Sequence, residues 1–447
     1  MLFKNHDELI ENGKDEKIKQ IRKDVLSILS HSIDAVDPYN SVKNVFFSKE
    51  FKLFDKDIDL SEFSNMYLVG FGKASIGMAD AVSDSVDIKE GIVVTNQKDK
   101  KVKNKKIKTF VGGHPIPNEN SLKAADEIIN LVKKANKDDL LFVLISGGGS
   151  ALLCKPRAEL DDIQKITNLL LKCGADIREI NTIRKHLSYV KGGQLVKNVK
   201  SKVISLVISD IVGDPLDFIA SGPTYPDSTT YKDAKYILEK YDIWDKIPGS
   251  IKEIITKGIN GKISETPDEK DPIFENVENL IVANNTLACK SAIEKAEDLG
   301  YKTMLLTTRL EGEARDVATF LVDKTINYEN SSEKMIFVSG GETTVTLKGN
   351  GKGGRNQEMV LSSIEKISDK NILFCSFATD GIDGDSDAAG AIADTYSFRR
   401  AEKSSIDPDL FLDDNNSYEF FNTLNDLLLT GPTGTNVMDL QIIVKYK

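Results

Sequence analysis

The sequence predicts an α/β protein of two domains, built on mostly parallel sheets. Its 447 residues exceed what one ordinary hydrophobic core organises. Short β-branched apolar runs alternate with amphipathic segments, which is the pattern of βα units. Six runs end in glycine or polar signatures rather than ordinary turns: "GFGKAS", "ISGGGSA", "VISDIVGD", "VANN", "VSGGETT" and "ATDGIDGD". In open α/β sheets ligands collect beyond the carboxyl ends of the strands, so the chemistry is expected at these endings.

Strands are expected, in order, at 66–72, 91–96, 140–148, 202–210, 279–285, 302–308, 334–342 and 371–381. Helices at 120–135, 286–300, 313–328 and 356–367 follow from apolar residues spaced three and four apart. Asn120 and Ser121 suit the start of the first helix, and Gly300 suits the end of the second. The polar stretch "TKGINGKISETPDEKDPIFENVE" at 256–278 has no apolar periodicity and reads as a long connection. The domains are therefore expected at 1–255 and 256–447.

Composition excludes several classes of function. With 40% apolar and 29% charged residues the chain has the balance of a soluble globular protein. A net charge of −10 opposes non-specific nucleic-acid binding. The basic run "KDKKVKNKKIK" at 98–108 reads as a solvated connection between two strands. Cys154, Cys173, Cys289 and Cys375 lie far apart with no C-x-x-C pair, which suggests neither a disulfide framework nor structural zinc. No apolar run reaches the ~18–20 residues of a membrane helix, and the amino terminus lacks the apolar stretch of a signal peptide. A cytoplasmic setting is expected.

The strand endings supply groups for anions and a hard cation. In "SGGGSA", Gly147, Gly148 and Gly149 let backbone N–H groups approach an oxyanion or carboxylate, flanked by Ser146 and Ser150. A serine nucleophile elbow needs Gly-x-Ser-x-Gly, and Ser150 is followed by Ala151 and Leu152. "KGNGKGGRNQE" turns from a glycine-dense loop into a helix. Gly351, Lys352, Gly353, Gly354, Arg355 and Asn356 there are candidates for binding phosphate oxygens or a nucleotide. Lys73, at the mouth of a strand, suits a transferring phosphoryl group. On helical spacing Arg184, Ser188 and Lys191 share one face, either a solvated face or a substrate rim. His114 reads as part of a rigid turn.

Four carboxylates crowd "ATDGIDGDSDAAGA" at 378–391. Its Asp-x-Asp-x-Asp spacing begins like an EF-hand, but Ala388 and Asp394 occupy the positions that need glycine and a bidentate glutamate. Asp210 and Asp380 follow apolar strands directly, whereas Asp214, Asp383, Asp385 and Asp387 belong to loops. Carboxylates, anion cradles, a lysine and an arginine together fit magnesium-assisted phosphoryl transfer.

Six long stretches in order, "GGHPIPNENS", "LISGGGSALL", "INTIRKHLSYVKGGQL", "SDIVGDPLDFIASGPTYPDSTT", "SGGETTVTLKGNGKGGRNQE" and "ATDGIDGDSDAAGA", resemble the glycerate 2-kinases of the MOFRL type, formerly often labelled hydroxypyruvate reductases. The resemblance covers nearly the whole chain. It implies a Rossmann-like amino-terminal domain and a smaller α/β carboxy-terminal MOFRL domain with the active site in the cleft between them. It implies ATP-dependent phosphorylation of D-glycerate at the 2-hydroxyl with Mg2+, and no nucleic-acid or membrane partner; a homodimer stands as an open expectation. On matching positions it makes Lys73, Asp210, Arg355 and Asp380 catalytic, with Asp210 and Asp380 the metal candidates. Arg184 and Lys191, with Ser146 to Ser150, stand beside these as candidate substrate or anion ligands from the reading of the residues themselves. Asn118 departs from the family's more usual Asp. The alternative is an NAD(P)H-dependent hydroxypyruvate reductase, but "GFGKAS" has Ser75 where a dinucleotide fingerprint has its third glycine.

Overall fold

The computed structural model describes residues 1–46, 51–53, 56–328 and 334–446. The chain divides into two compact units. A first-sheet unit comprises residues 38–209 and 214–282; a second-sheet unit comprises 1–37, 210–213 and 283–447. This differs from a cut at 255/256 in two ways: the first 37 residues belong with the carboxy-terminal sheet, and the polar stretch up to 282 belongs with the amino-terminal one.

In the first-sheet unit a hairpin of β1 (Phe51–Leu53) and β2 (Lys56–Ile58) precedes a six-stranded sheet. Its strands are β3 (Met66–Phe71), β4 (Glu90–Thr95), β5 (Ile107–Val111), β6 (Leu140–Ile145), β7 (Lys202–Ile208) and β8 (Val277–Ala283). They lie in the order β5-β4-β3-β6-β7-β8, and the pairings from β5 through β7 are parallel. Every residue of β6 is apolar and buried, as a strand covered on both faces requires. The chain steps outward from β3 to β4 and β5, then returns to β6 on β3's other side. That reversal is where an α/β sheet opens a crevice, and Gly72 and Ser146 follow directly at the two strand ends.

The Lys-rich run joins β4 to β5. The polar 256–278 stretch holds the end of the helix Gly249–Ile259 and a 3-10 turn at Pro272–Asn276, and it leads into β8 of this first sheet. The helix Glu119–Lys134 starts one residue earlier than its apolar pattern indicates. Asn118 is its N-cap, accepting from the Ser121 N–H in a capping box. Asp caps a helix equally well, so the departure from the family pattern leaves the local structure intact.

The second sheet comprises β9 (Lys302–Leu310), β10 (Met335–Gly341), β11 (Ile372–Ala378), β12 (Gly390–Asp394), β13 (Leu427–Leu428) and β14 (Asp439–Lys445). Its order is β13-β12-β11-β14-β10-β9. Only β9 and β10 pair in parallel; β14 runs antiparallel between β10 and β11, so this sheet is mixed rather than mostly parallel. The helix Arg355–Ile367 packs Val360, Ile364 and Ile367 into the core with Phe337 and Phe374.

The amino terminus joins this unit through the helix Glu16–Ala35, which buries Ile18, Ile21, Val25 and Leu29. Arg22 on the same helix is fully enclosed. Its Nε and Nη2 donate to Asp394 at 2.8 and 2.6 Å, and its Nη1 donates to Asp426 at 2.8 Å and to the Leu9 carbonyl at 3.0 Å. Among the described residues no helix is long and apolar enough to cross a membrane.

Truncating Arg22 would leave the buried Asp394 without its cation, while Asp426 would keep Arg400. Arg22→Ala is expected to destabilise the protein by about 3–5 kcal/mol in chemical denaturation. A loss under about 1 kcal/mol would mean the cluster is not desolvated as its burial indicates.

Candidate active site

In the first-sheet unit the ends of β3 and β6 are stitched together. Gly72 has φ of +133°, and a Cβ there would lie 2.1 Å from the Ser146 hydroxyl, so only glycine fits. The Lys73 N–H donates to the Gly147 carbonyl at 2.9 Å, and the Ala74 N–H donates to Ser146 Oγ at 3.1 Å. Ser146 is buried and its hydroxyl serves this joint. Gly148 is left-handed at φ +82°, with the His114 ring lying 2.9 Å from where a Cβ would stand and the Lys73 stem 3.4 Å away. Loss of water around the His114 ring, with the charge of Lys73, holds its imidazole below the ordinary range. Lys73 is half-buried and has no carboxylate partner among the described residues.

Ser150 continues the site. Its Oγ lies 2.8 Å from that of Ser221, whose hydroxyl donates to Asn181 Oδ1 at 3.2 Å. Ala220 and Ser221 hold positive φ of 51° and 62°, a conformation that strains residues with a Cβ. Asn181, Ser221 and His114 were not singled out for chemistry by the sequence; the only hint of the strained pair was its place within "IASGPT".

The helix carrying Arg184 spans Ile177–His186, so Ser188 and Lys191 lie beyond its end rather than on one helical face. All three nonetheless line a single cavity, brought there by the turn that follows the helix. Lys191 is buried and donates to the Ser150 carbonyl at 2.6 Å. Arg184 is half-buried, and neither cation has a carboxylate partner among the described residues. Burial lowers the Lys191 ammonium to about 8, with Arg184 contributing in the same direction.

In the second-sheet unit Arg355 opens its helix. Its Nε and Nη2 donate to the two oxygens of Asp439 at 2.5 and 3.0 Å, and its Nη1 lies 2.7 Å from Glu342. Asp439 starts β14 and pairs with Gly341 at the end of β10 and with Ala378 at the end of β11. Glu342 and Asp380 stand just beyond those ends. Desolvation pushes the Glu342 carboxyl up, Arg355 opposes it, and Asp439 and Asp210 add to the rise. Asp380 is half-buried; its Oδ1 accepts from the Ile382 N–H at 3.0 Å. Asp439 and Glu342 were not among the residues expected from the sequence.

The glycine-dense loop expected to cradle phosphate turns its donors inward. The N–H groups of Lys348 and Gly349 reach Asn415 Oδ1, those of Asn350 and Gly351 reach Asp414, that of Lys352 reaches Asn416, and that of Gly353 reaches Asp385. Asp383 is buried and accepts from the N–H groups of Asn356 and Gln357 and from both of their side-chain amides, capping the helix. Burial raises its carboxyl to about 6 despite these donors. The side chain of Lys352 sits 3.7 Å over the Tyr418 ring. Gly351, Lys352, Gly353 and Asn356 thus have protein acceptors where the sequence reading expected phosphate. At Gly354 a Cβ would collide with Asp383 at 2.4 Å, so its glycine serves the cap.

Family models match two regions: a domain of unknown function over residues 24–256 and the MOFRL family over residues 335–439. The glycerate 2-kinase of Pyrococcus horikoshii is 43% identical, covering 95% of this chain and 97% of its own. The D-glycerate 2-kinase of Thermotoga maritima is 38% identical over 95% of this chain and 98% of its own. The crystal structure of a glycerate kinase from Thermotoga maritima, 37% identical, superposes with a TM-score of 0.86 over 96% of this chain and all of that one.

Lys191 is charged below about pH 8 and neutral above it, so anion binding at the Arg184–Lys191 pair is expected to weaken as pH rises through that value. Sulfate, whose own charge is constant in this range, is expected to lose affinity about fivefold between roughly pH 7 and 9.5 by calorimetry. Lys191→Arg is expected to flatten the profile; an unchanged slope would exclude Lys191 as the titrating cation. With the six motifs joined by these matches over nearly its full length, the chain belongs to the glycerate 2-kinases of the MOFRL family.

Proposed function

We propose that the chain transfers the γ-phosphoryl group of ATP to the 2-hydroxyl of D-glycerate, giving 2-phosphoglycerate and ADP in a cytoplasmic setting. The observation that carries this reading is the 43% and 38% identity to two glycerate 2-kinases over nearly the whole chain. Lys73, Arg184 and Lys191, cations without carboxylate partners among the described residues, support it as a supply of charge for anionic substrates.

Each group has a proposed task. In the transfer the 2-hydroxyl oxygen bonds to the γ-phosphorus, the bond to the bridging oxygen breaks, and ADP leaves with that oxygen. Lys73 neutralises charge on the phosphoryl oxygens as they move. Asp439 fixes the plane of Arg355 through Nε and Nη2, leaving Nη1 against the exposed Glu342, a partner that a phosphate oxygen can replace. One of Asp210 and Asp380 takes the hydroxyl proton. Among the described residues no cluster of three His, Cys, Asp or Glu forms an all-protein metal cage. Magnesium held mainly by phosphates and water needs only one or two carboxylates, and Asp380, with Oδ2 uncommitted, fits that demand along with Asp210. When bound, magnesium neutralises charge on the phosphate oxygens.

Incubation with ATP, magnesium and D-glycerate, coupled to enolase without a mutase, is expected to yield phosphoenolpyruvate, since only the 2-phosphate is an enolase substrate. No signal, together with NADH oxidation on hydroxypyruvate, would replace the kinase with a reductase. Lys73→Ala and Arg355→Ala are each expected to lower kcat at least about a hundredfold with the fold intact; near-normal rates would remove them from the mechanism. Asp380→Asn is expected to raise the magnesium concentration needed for half-maximal rate, and an unmoved titration would assign Asp380 to the substrate.

A further inference from the structure

Arg184 and Lys191 stand in a cavity of about 370 Å³ in the first-sheet unit, whose walls are otherwise largely apolar. Pro115 and Pro117 line one part of it, and the helix Leu160–Lys172 lines another through Ile163, Ile166 and Leu170. A three-carbon polar acid has no apolar surface to match these walls and would leave most of the space to water. Two lining residues, Ile116 and Leu171, are 63% and 60% exposed, apolar surface that an occupant would cover. Two cations without carboxylates beside an apolar chamber call for a ligand with a flat apolar body and a polyanionic end.

We propose that this cavity holds the nucleoside part of the phosphoryl donor, a purine nucleoside polyphosphate. Its base packs between Pro115, Pro117 and the Leu160–Lys172 helix, and its phosphates reach Arg184 and Lys191. Gln164, Thr167 and Asn168 on that helix also line the cavity and offer hydrogen-bonding groups to the base edge. This rests on the kinase reading and moves nucleotide recognition away from the 348–356 loop, most of whose N–H groups already have acceptors in the protein.

The test is binding of a fluorescent mant-ADP to the full chain, with inorganic tripolyphosphate as a probe of the cationic end alone. Thr167→Trp, which fills the chamber, is expected to weaken mant-ADP about tenfold or more, raise the KM for ATP by a similar factor, and leave tripolyphosphate binding and the KM for glycerate within about twofold. Arg184→Gln is expected to weaken mant-ADP and tripolyphosphate together. Leu171→Asp, at an exposed position, provides a second variant that does not depend on core repacking, and is expected to weaken mant-ADP selectively. Unchanged mant-ADP affinity in both folded chamber variants would overturn the proposal, as would a rise in the KM for glycerate with that for ATP unmoved. A chain that binds mant-ADP in this pattern yet phosphorylates no glycerate would support the nucleotide site and reject the kinase reading.

Discussion

The second-sheet site depends on the direction of one strand. Because β14 runs antiparallel between β10 and β11, its amino end lies level with their carboxyl ends, and Asp439 is set between Gly341 and Ala378. Reversed, the strand would put Lys445 there and leave Arg355 without its bidentate partner. With Asp439 in place, an arginine at the start of a helix is held in one plane, while Glu342 and Asp380 project from the flanking strands. A guanidinium fixed on two edges loses little further freedom when it meets a third acceptor, which is the physical meaning of preorganisation.

That constraint also explains what could be read from the sequence. All eight expected strands form; β3, β4, β6 and β7 are buried and parallel and read as continuous apolar runs, and β11, antiparallel to both its neighbours, is as fully buried and as apolar. The four expected helices form as well. The rule that ligands gather at carboxyl strand ends pointed to Lys73, Ser146, Asp210 and Asp380 as candidates, but it is blind to an antiparallel strand, which presents its first residue at that edge. Asp439 sits in "MDLQI" with nothing local to distinguish it from a strand-edge aspartate. The assignment of the first 37 residues to the distant sheet was equally hidden. It rests on Arg22 meeting Asp394 and Asp426, contacts separated by 372 and 404 positions.

Glycine content alone did not separate the two candidate anion loops. In "SGGGSA" Gly148 is demanded by the close approach of the His114 ring, and Gly149 by Ala220 and Phe71. In "KGNGKGG" they are demanded by Asp414, Asn416, Ser417 and Asp383, whose atoms would collide with any Cβ at Gly349, Gly351, Gly353 or Gly354. The second loop is thus a packing surface for its own unit, and the acidic stretch at 383–387 belongs to the same packing: Asp383 caps the helix, Asp385 holds Gly353 and Asp387 accepts from Tyr418. A short sequence reports the need for glycine, not whether neighbour or ligand imposes it.

The distribution of unpaired charge discriminates where glycine does not. Across a chain of net charge −10, carboxylates are plentiful enough to neutralise any cation that folding alone would pair. Arg22 has two, and Arg355 has two. Arg184 and Lys191 have none among the described residues, although Lys191 is buried and its ammonium lowered to about 8. Against the ordinary lysine value that depression represents roughly 3 kcal/mol held against the charged form. Folding gains one hydrogen bond to the Ser150 carbonyl from this arrangement, and a neutral donor could make the same bond without the cost of burying charge. An anionic ligand reverses the sign: negative charge beside the pair stabilises the protonated Lys191 and offsets its desolvation on binding. The unneutralised cations, more than the glycines beside them, therefore carry the proposal that this part of the first-sheet unit receives an anion.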